Sequence, residues 1–227
     1  MPATIPKVFH QIWLGPKPLP AHFKRWSEQW LALNPGWKLE LWTDSHLPDI
    51  INRKEFDESE KFAAKSDILR YELILQYGGV YMDTDFEPLR AIDPLLPNVT
   101  SFYGDERPDI PCNAILGCAK DDPFYAHVVK ALPESFRGPG DIVDKTGPRF
   151  LKRSIEAFLG EGRTTQQDEG QLRRALHKSA DGSRHLHSFD WRIFYPYYYT
   201  EEHRKNDPFP DAYAKHHWTA SWWKTQD

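Results

Sequence analysis

Two cysteines, two methionines and no long uninterrupted apolar run are the shortages of this 227-residue sequence. A membrane helix needs about 20 mostly apolar residues in succession, and no segment approaches that length. The cysteines, Cys112 and Cys118, share one apolar segment, CNAILGC. On a strand they would stand roughly 20 Å apart at about 3.3 Å per residue, so a disulfide between them would break the strand. Positive charge is not in surplus either: a formal net charge of -4 gives no overall field to gather nucleic acid or an anionic membrane, and no nucleic-acid partner is expected. The opening MPATIPKVFHQIW lacks the basic-then-apolar pattern of an export signal, so the expected location is cytoplasmic. With no internal repeat, heptad run or linker, residues 1–227 read as one domain, loop-rich in its last third.

Aromatic residues are plentiful: nine Trp, ten Tyr and thirteen Phe, more than core packing alone demands. Such rings also stack on sugars and bases, which keeps a carbohydrate or nucleotide ligand in play. KVFHQIW (Lys7 to Trp13) reads as an opening strand, GPKPLP forces a loop, and apolar spacing predicts a helix from Ala21 to Asn34. LELWT (Leu39 to Thr43) alternates as a second strand. Ser59 to Tyr77 is the clearest helix, ended by Gly78-Gly79, and Val80 to Phe86 is a strand arriving directly from it. Further strands are expected at Thr100 to Tyr103 and Cys112 to Ala119, and helices at Pro123 to Leu132 and Pro148 to Leu159. This alternation predicts an α/β fold with a mostly parallel central sheet flanked by helices.

YGGVYMDTDFEP (Tyr77 to Pro88) places two carboxylates one residue apart. In a strand, Asp83 and Asp85 would point to the same face, where they repel unless a divalent cation such as Mn²⁺ or Mg²⁺ sits between them. Asp is also common at strand ends and turns. Ligands of open α/β sheets, however, bind outside the carboxyl ends of strands, which is where this pair falls. In the preceding helix Asp67 and Arg70 are three apart and share a face, with Tyr71 beside them.

In these residues the chain resembles the D-x-D sugar transferases of the glycosyltransferase family 32 type, which include the yeast initiating α-1,6-mannosyltransferase and the catalytic domains of large clostridial glucosylating toxins. The matching segments are IPKVFHQIWLG (Ile5 to Gly15), AAKSDILRYELILQYGGVYMDTDFEPL (Ala63 to Leu89), CNAILG (Cys112 to Gly117), TGPRFL (Thr146 to Leu151) and HHWTASW (His216 to Trp222). The resemblance implies a GT-A nucleotide-sugar-binding fold and metal-dependent, retaining transfer of a hexose from a UDP- or GDP-sugar donor. Acceptor preference does not carry over from the resemblance; a saccharide or lipid-linked saccharide in bacterial surface polysaccharide assembly is the first expectation, with a protein or other acceptor behind it.

Residue roles are implied as well. Asp85 would ligate Mn²⁺ or Mg²⁺ directly, Asp83 would contact ribose and metal, and His216, with His217 as the alternative, would add a ligand. Trp13 would stack on the base. Asp67, Arg70, Tyr71 and Asn113 would hold the donor sugar, while Ser221 and Trp222 would approach the phosphates from a closing segment at residues 200–227. Three other readings stay open: an aspartate-nucleophile phosphatase, a zinc hydrolase using His10, His185, His187, His216 and His217, and a silent nucleotide-sugar-binding module.

Overall fold

The computed structural model describes residues 4–167 and 173–219. Its strands are β1 (Val8–Ile12), β2 (Lys38–Trp42), β3 (Gly79–Met82), β4 (Phe86–Pro88), β5 (Ser101–Arg107), β6 (Ile110–Cys118), β7 (Thr164–Gln167), β8 (Arg174–Lys178), β9 (His185–Phe189) and β10 (Ala214–His216). The helices are α1 (Ala21–Leu33), α2 (Arg53–Glu58), α3 (Phe62–Tyr77), α4 (Pro123–Arg137), α5 (Ile142–Lys145), α6 (Pro148–Leu159) and α7 (Trp191–Phe194). Eight strands form one sheet in the order β2-β1-β3-β6-β5-β9-β8-β7, and β4 pairs with β10 in a separate ribbon. All strands of the large sheet run one way except β6 and β8, which are antiparallel to their neighbours. The expected α/β architecture is therefore present, with its mostly parallel sheet.

Alternation along the strands divides the core into two layers. Tyr81 points from β3 into the layer formed with α3, α4 and α6, which contains Leu69, Leu73, Val128, Leu151 and Phe158. Val80 and Met82 point into the other, with Phe9, Trp30, Phe86, Phe102 and Phe194. Helix α3 is buried from Ser66 to Ile74 without interruption, so it is an interior helix. Truncating Leu73, which is wholly buried, would cost about 2–5 kcal/mol. Cys112 and Cys118 are both free and buried on β6, as their spacing on one strand requires.

The passage from α3 into β3 depends on two glycines. Gly78 has φ +66 and Gly79 φ +99, in the left-handed region that L side chains avoid. A Cβ on Gly79 would also lie 2.5 Å from the Val8 carbonyl, because β1 runs alongside. This close pairing sets β3 between β1 and β6 and fixes where its carboxyl end emerges.

Three expectations are corrected. The strand predicted over Val80 to Phe86 ends at Met82, and Asp83-Thr84-Asp85 forms a turn before β4 begins. The third helix begins at Phe62, three residues after the expected Ser59, because the chain is extended at Lys61. The polar stretch after Gly160 supplies β7 and β8, whose outward faces are solvated and so carry little apolar pattern. Among the described residues no helix is long and apolar enough to cross a membrane.

Candidate active site

Helix α3 carries Asp67 and Arg70 to the carboxyl end of β3. The guanidinium Nη2 lies 3.2 Å from Asp67 Oδ1 and 3.3 Å from Asp83 Oδ1, with all three side chains buried or nearly so. Arg70 also donates from Nη1 to the Asn113 carbonyl at 2.7 Å, and its Cζ sits 4.7 Å from the centre of the Tyr81 ring. The helical i,i+3 spacing thus makes an interior ion pair, not a solvated one.

Asn113 arrives there because β6 bulges away from β5. Tyr103 of β5 faces Leu116, but the next residue, Gly104, faces Cys112, so Asn113 to Ile115 stand out of the β5 register. On the other edge of β6, Ile115 lies opposite Met82 and the Asp83 N–H donates to the Ala114 carbonyl at 2.9 Å. Such irregularities re-aim side chains. Asn113 Nδ2 donates to Asp67 Oδ1 at 2.8 Å and to the Tyr71 hydroxyl at 3.1 Å. The Thr146 hydroxyl donates to Asp67 Oδ2 at 2.9 Å, and the Tyr71 hydroxyl donates to the Thr146 carbonyl at 3.0 Å.

Beyond β3 the turn brings Asp83 and Asp85 together. Tyr81 donates its hydroxyl to Asp83 Oδ1 at 2.5 Å. Asp85 is held from the far end of the chain: the backbone N–H and hydroxyl of Thr219 donate to its Oδ2 at 3.0 and 2.9 Å. Antiparallel pairing of β10 with β4 sets His216 opposite Phe86, so the imidazole Nε2 stands 3.0 Å from Asp85 Oδ1 and 3.9 Å from Asp83 Oδ2. Its ring is packed on Phe86, Tyr195 and Trp218, and its Nδ1 is buried without a hydrogen-bond partner.

His217 goes elsewhere. Its Nε2 lies 2.7 Å from Glu87 Oε2, and its ring stacks on Trp26 at 4.4 Å. The structure therefore places His216, not His217, at the aspartate pair.

Burial pushes the Asp83 and Asp67 carboxyls up, against the pull of Arg70. Burial acts against the guanidinium too, but Asp83, Tyr81 and Asp67 hold it firmly charged. For Asp85, burial is outweighed by His216 and the Thr219 hydrogen bonds, which keep its carboxyl well below the usual range. Desolvation of His216 is likewise outweighed by Asp85, so its imidazole is raised. Three carboxylates face one guanidinium and one imidazole, and burial disfavours the charge on two of them, Asp67 and Asp83.

That donor set fits a divalent cation. One ligand atom each from Asp83, Asp85 and His216 lie within 4.8 Å of one another, the one such His/Cys/Asp/Glu group among the described residues. Two carboxylate oxygens and a neutral imidazole suit a metal that takes oxygen and nitrogen and leaves positions for ligand phosphates. The five histidines of the zinc reading are not brought together. His10, for example, is buried beside the Gly78 carbonyl and the Trp42 indole.

Trp13 follows β1, its indole donating to the Lys17 carbonyl at 2.7 Å and packing edge-on to Phe23. Ser221 and Trp222 lie outside the described residues. The residues that sequence reasoning missed as partners are Tyr81, Thr146 and Thr219. Tyr81 is two residues before Asp83 on an alternating strand, Thr146 opens TGPRFL, and Thr219 lies inside HHWTASW.

The fold is of the GT-A type. The solved glycosyltransferase PaToxG has the same fold, with a TM-score of 0.57 and 18% sequence identity over 68% of this chain and 69% of that one. In sequence, residues 20–102 match the glycosyltransferase sugar-binding region containing the DXD motif. The chain is similar to inositol phosphoceramide mannosyltransferase 3 of Schizosaccharomyces pombe, 30% identical over 66% of this chain and 44% of that protein. It is also similar to mannosyl phosphorylinositol ceramide synthase SUR1 of Saccharomyces cerevisiae, 31% identical over 66% of this chain and 41% of the relative. The resemblance to D-x-D sugar transferases read from the sequence is thereby borne out, although the chain spans less than half the length of these two curated relatives.

Proposed function

We propose that this chain is a divalent-metal-dependent hexosyltransferase that moves a sugar from a nucleotide donor to a hydroxyl of a saccharide or a lipid-linked cyclic polyol. The observation that carries the reading is the adjacency of two sets of groups through Arg70: the Asp67–Asn113 network on one side and the Asp83–Asp85–His216 group on the other. The names of the relatives, both acting on inositol-containing ceramides, favour mannose as the sugar and a phosphoinositol-type headgroup as the acceptor.

Each residue then has a task. Asp83, Asp85 and His216 would hold Mn²⁺ or Mg²⁺, which when bound supplies positive charge for a departing nucleoside diphosphate. Asp67 accepts from and Arg70 donates to the donor sugar's hydroxyls; each carboxylate oxygen has lone-pair capacity beyond the bonds already made. Arg70 also bridges Asp67 to Asp83, so the sugar and phosphate ends are held in register. Tyr71, Thr146 and Asn113 orient Asp67. Trp13 stacks on the base, uridine or guanosine, and Ser221 and Trp222 close on the phosphates.

Retention at the anomeric carbon follows the resemblance, and because Asp67, Asp83 and Asp85 are each held by ion pairs or hydrogen bonds, transfer is assigned to front-face attack. Determining the product anomer by NMR tests this, and an inverted product overturns it. The wider reading is tested by release of nucleoside diphosphate from a panel of UDP- and GDP-sugars with Mn²⁺. Release from one donor, abolished by chelator, supports it. A folded, metal-loaded protein that hydrolyses no donor and transfers to no acceptor is instead a nucleotide-sugar-binding module.

A further inference from the structure

A second recess adjoins the aspartate pair and has no part in the account above. It is a cavity of about 400 Å³ between the first turns of α1 and the chain around β10. Its walls are aromatic: Trp26, Tyr197, Tyr199, His217 and Trp218 all line it, and Thr219, which holds Asp85, closes one end.

Two features set these rings apart from ordinary packing. Tyr199 is 58% exposed, an unusual state for a tyrosine that packs against two other rings, Tyr198 and Trp218. Trp218 has φ +51, a left-handed conformation that is an outlier for so bulky a residue. That conformation is fixed by its indole N–H, which donates to the Tyr197 carbonyl at 3.0 Å. The indole meets the His216 ring in an edge contact at 4.4 Å, and the Tyr199 ring stands 6.1 Å away at 67° to it, so the two form a corner. A molecule seated in that corner is one ring removed from the group proposed to hold the metal.

The polar lining completes the description. Glu202, Lys205 and Asn206 border the aromatic wall, and the Glu202 carboxylate and Lys205 ammonium lie 3.6 Å apart, so their charges cancel. The recess therefore offers acceptors and donors with no net charge to attract an anion. Apolar ring faces flanked by paired hydrogen-bonding groups suit a neutral cyclic polyol, whose C–H face stacks while its hydroxyls bond sideways.

We infer that this recess is the acceptor subsite, and that it takes the hydroxylated ring of the acceptor, a saccharide or an inositol, against the Tyr199 ring in the corner it forms with Trp218. The inference rests on the transferase reading above and adds where the acceptor lies and what recognises it.

The test uses the full chain with Mn²⁺ and, as probes, methyl α-D-mannopyranoside and myo-inositol, followed by saturation-transfer-difference NMR. Saturable transfer to the ring C–H protons of at least one probe is expected. Tyr199→Ala should weaken it about fivefold or more, and Tyr199→Phe, which keeps the ring, should retain it. Because Tyr199 is exposed, its removal does not touch the core, and circular dichroism verifies this. Addition of UDP or GDP should leave probe binding in place. Absence of transfer, equal binding by Tyr199→Ala, or competitive displacement by the nucleotides would each overturn the inference, the last by marking the recess as a base pocket. Donor hydrolysis is measured in parallel on the unmodified chain. Hydrolysis without probe binding removes the acceptor subsite alone, and probe binding without hydrolysis removes the transferase reading while leaving the ring site standing.

Discussion

Asp67 and Asp85 are buried carboxylates of one site, but their surroundings differ in origin and in balance. Around Asp67 the partners are Arg70 on the same helix, Asn113 on β6 and Thr146 before α6, and both oxygens accept hydrogen bonds. Asp85 sits on a two-sided turn beside a second carboxylate, and its partners His216 and Thr219 come from a ribbon strand and the residues after it. The sugar-facing half is a finished network embedded in the main sheet. The metal-facing half is a like-charge pair clasped by a late segment. Under the proposed function, the difference teaches that orientation of the donor sugar would be built into the core, whereas capture of the cation would depend on one short antiparallel pairing.

The sharpest way to break this comparison is to remove Arg70, which serves both halves. Arg70→Ala leaves Asp67 and Asp83 buried without their cation and should destabilise the protein by about 3–5 kcal/mol, read by denaturant or thermal unfolding. Little change in stability would mean that the two halves are not coupled through the guanidinium. On the metal side the contrast should reverse. Asp83→Asn should leave stability within about 1 kcal/mol, because burial already disfavours its charge and the change relieves repulsion from Asp85, yet lower donor hydrolysis by about 10²-fold or more.

Cation binding separates the two histidines. At a Mn²⁺ concentration of about 100 Kd the protein should gain about 2.7 kcal/mol of stability, seen as a rise in Tm that a chelator reverses. His216→Ala should lose most of that gain and His217→Ala should keep it, since His217 is engaged with Glu87. Equal losses would place both imidazoles at the metal.

The smallest effect lies outside both halves and serves as a control. Asp105 on β5 has its carboxyl pushed up to about 7, first by burial and then by Asp109 and Asp190. The folded state therefore holds this proton more tightly than the unfolded chain, so the associated stability is full below pH about 4 and is lost as pH rises through about 7. Asp105→Asn should flatten the stability profile across that window by about 1 kcal/mol, allowing for the partial exposure of the group. An unchanged slope would assign the pH dependence to other groups.

Much of the sugar-facing half was legible in the sequence because it is local. Asp67 and Arg70 lie on one helix, Gly78-Gly79 ends that helix, and Asp83 and Asp85 follow within a few residues. What was not legible depends on distant pairings. The turn at Asp83 to Asp85 replaced the expected continuous strand because β4 leaves the main sheet to pair with β10, a partner more than a hundred residues away. The choice between His216 and His217 follows from the same ribbon register, since adjacent residues point to opposite faces. Asn113 was read from resemblance alone. Its aim comes from the bulge by which β6 leaves the β5 register at 113–115, which no periodicity in CNAILGC announces. The strands after Gly160 were hidden because β7 is exposed throughout.

The ribbon of β4 and β10 has a consequence for how the protein is made. A ribosome delivers β10 more than a hundred residues after β4, so the emerging chain can complete its helix-borne arginine cluster long before the imidazole arrives. Under the proposed function, competence to bind the cation would be gained only when translation has passed residue 219, and a product cut short before β10 would lack the clasp on Asp85.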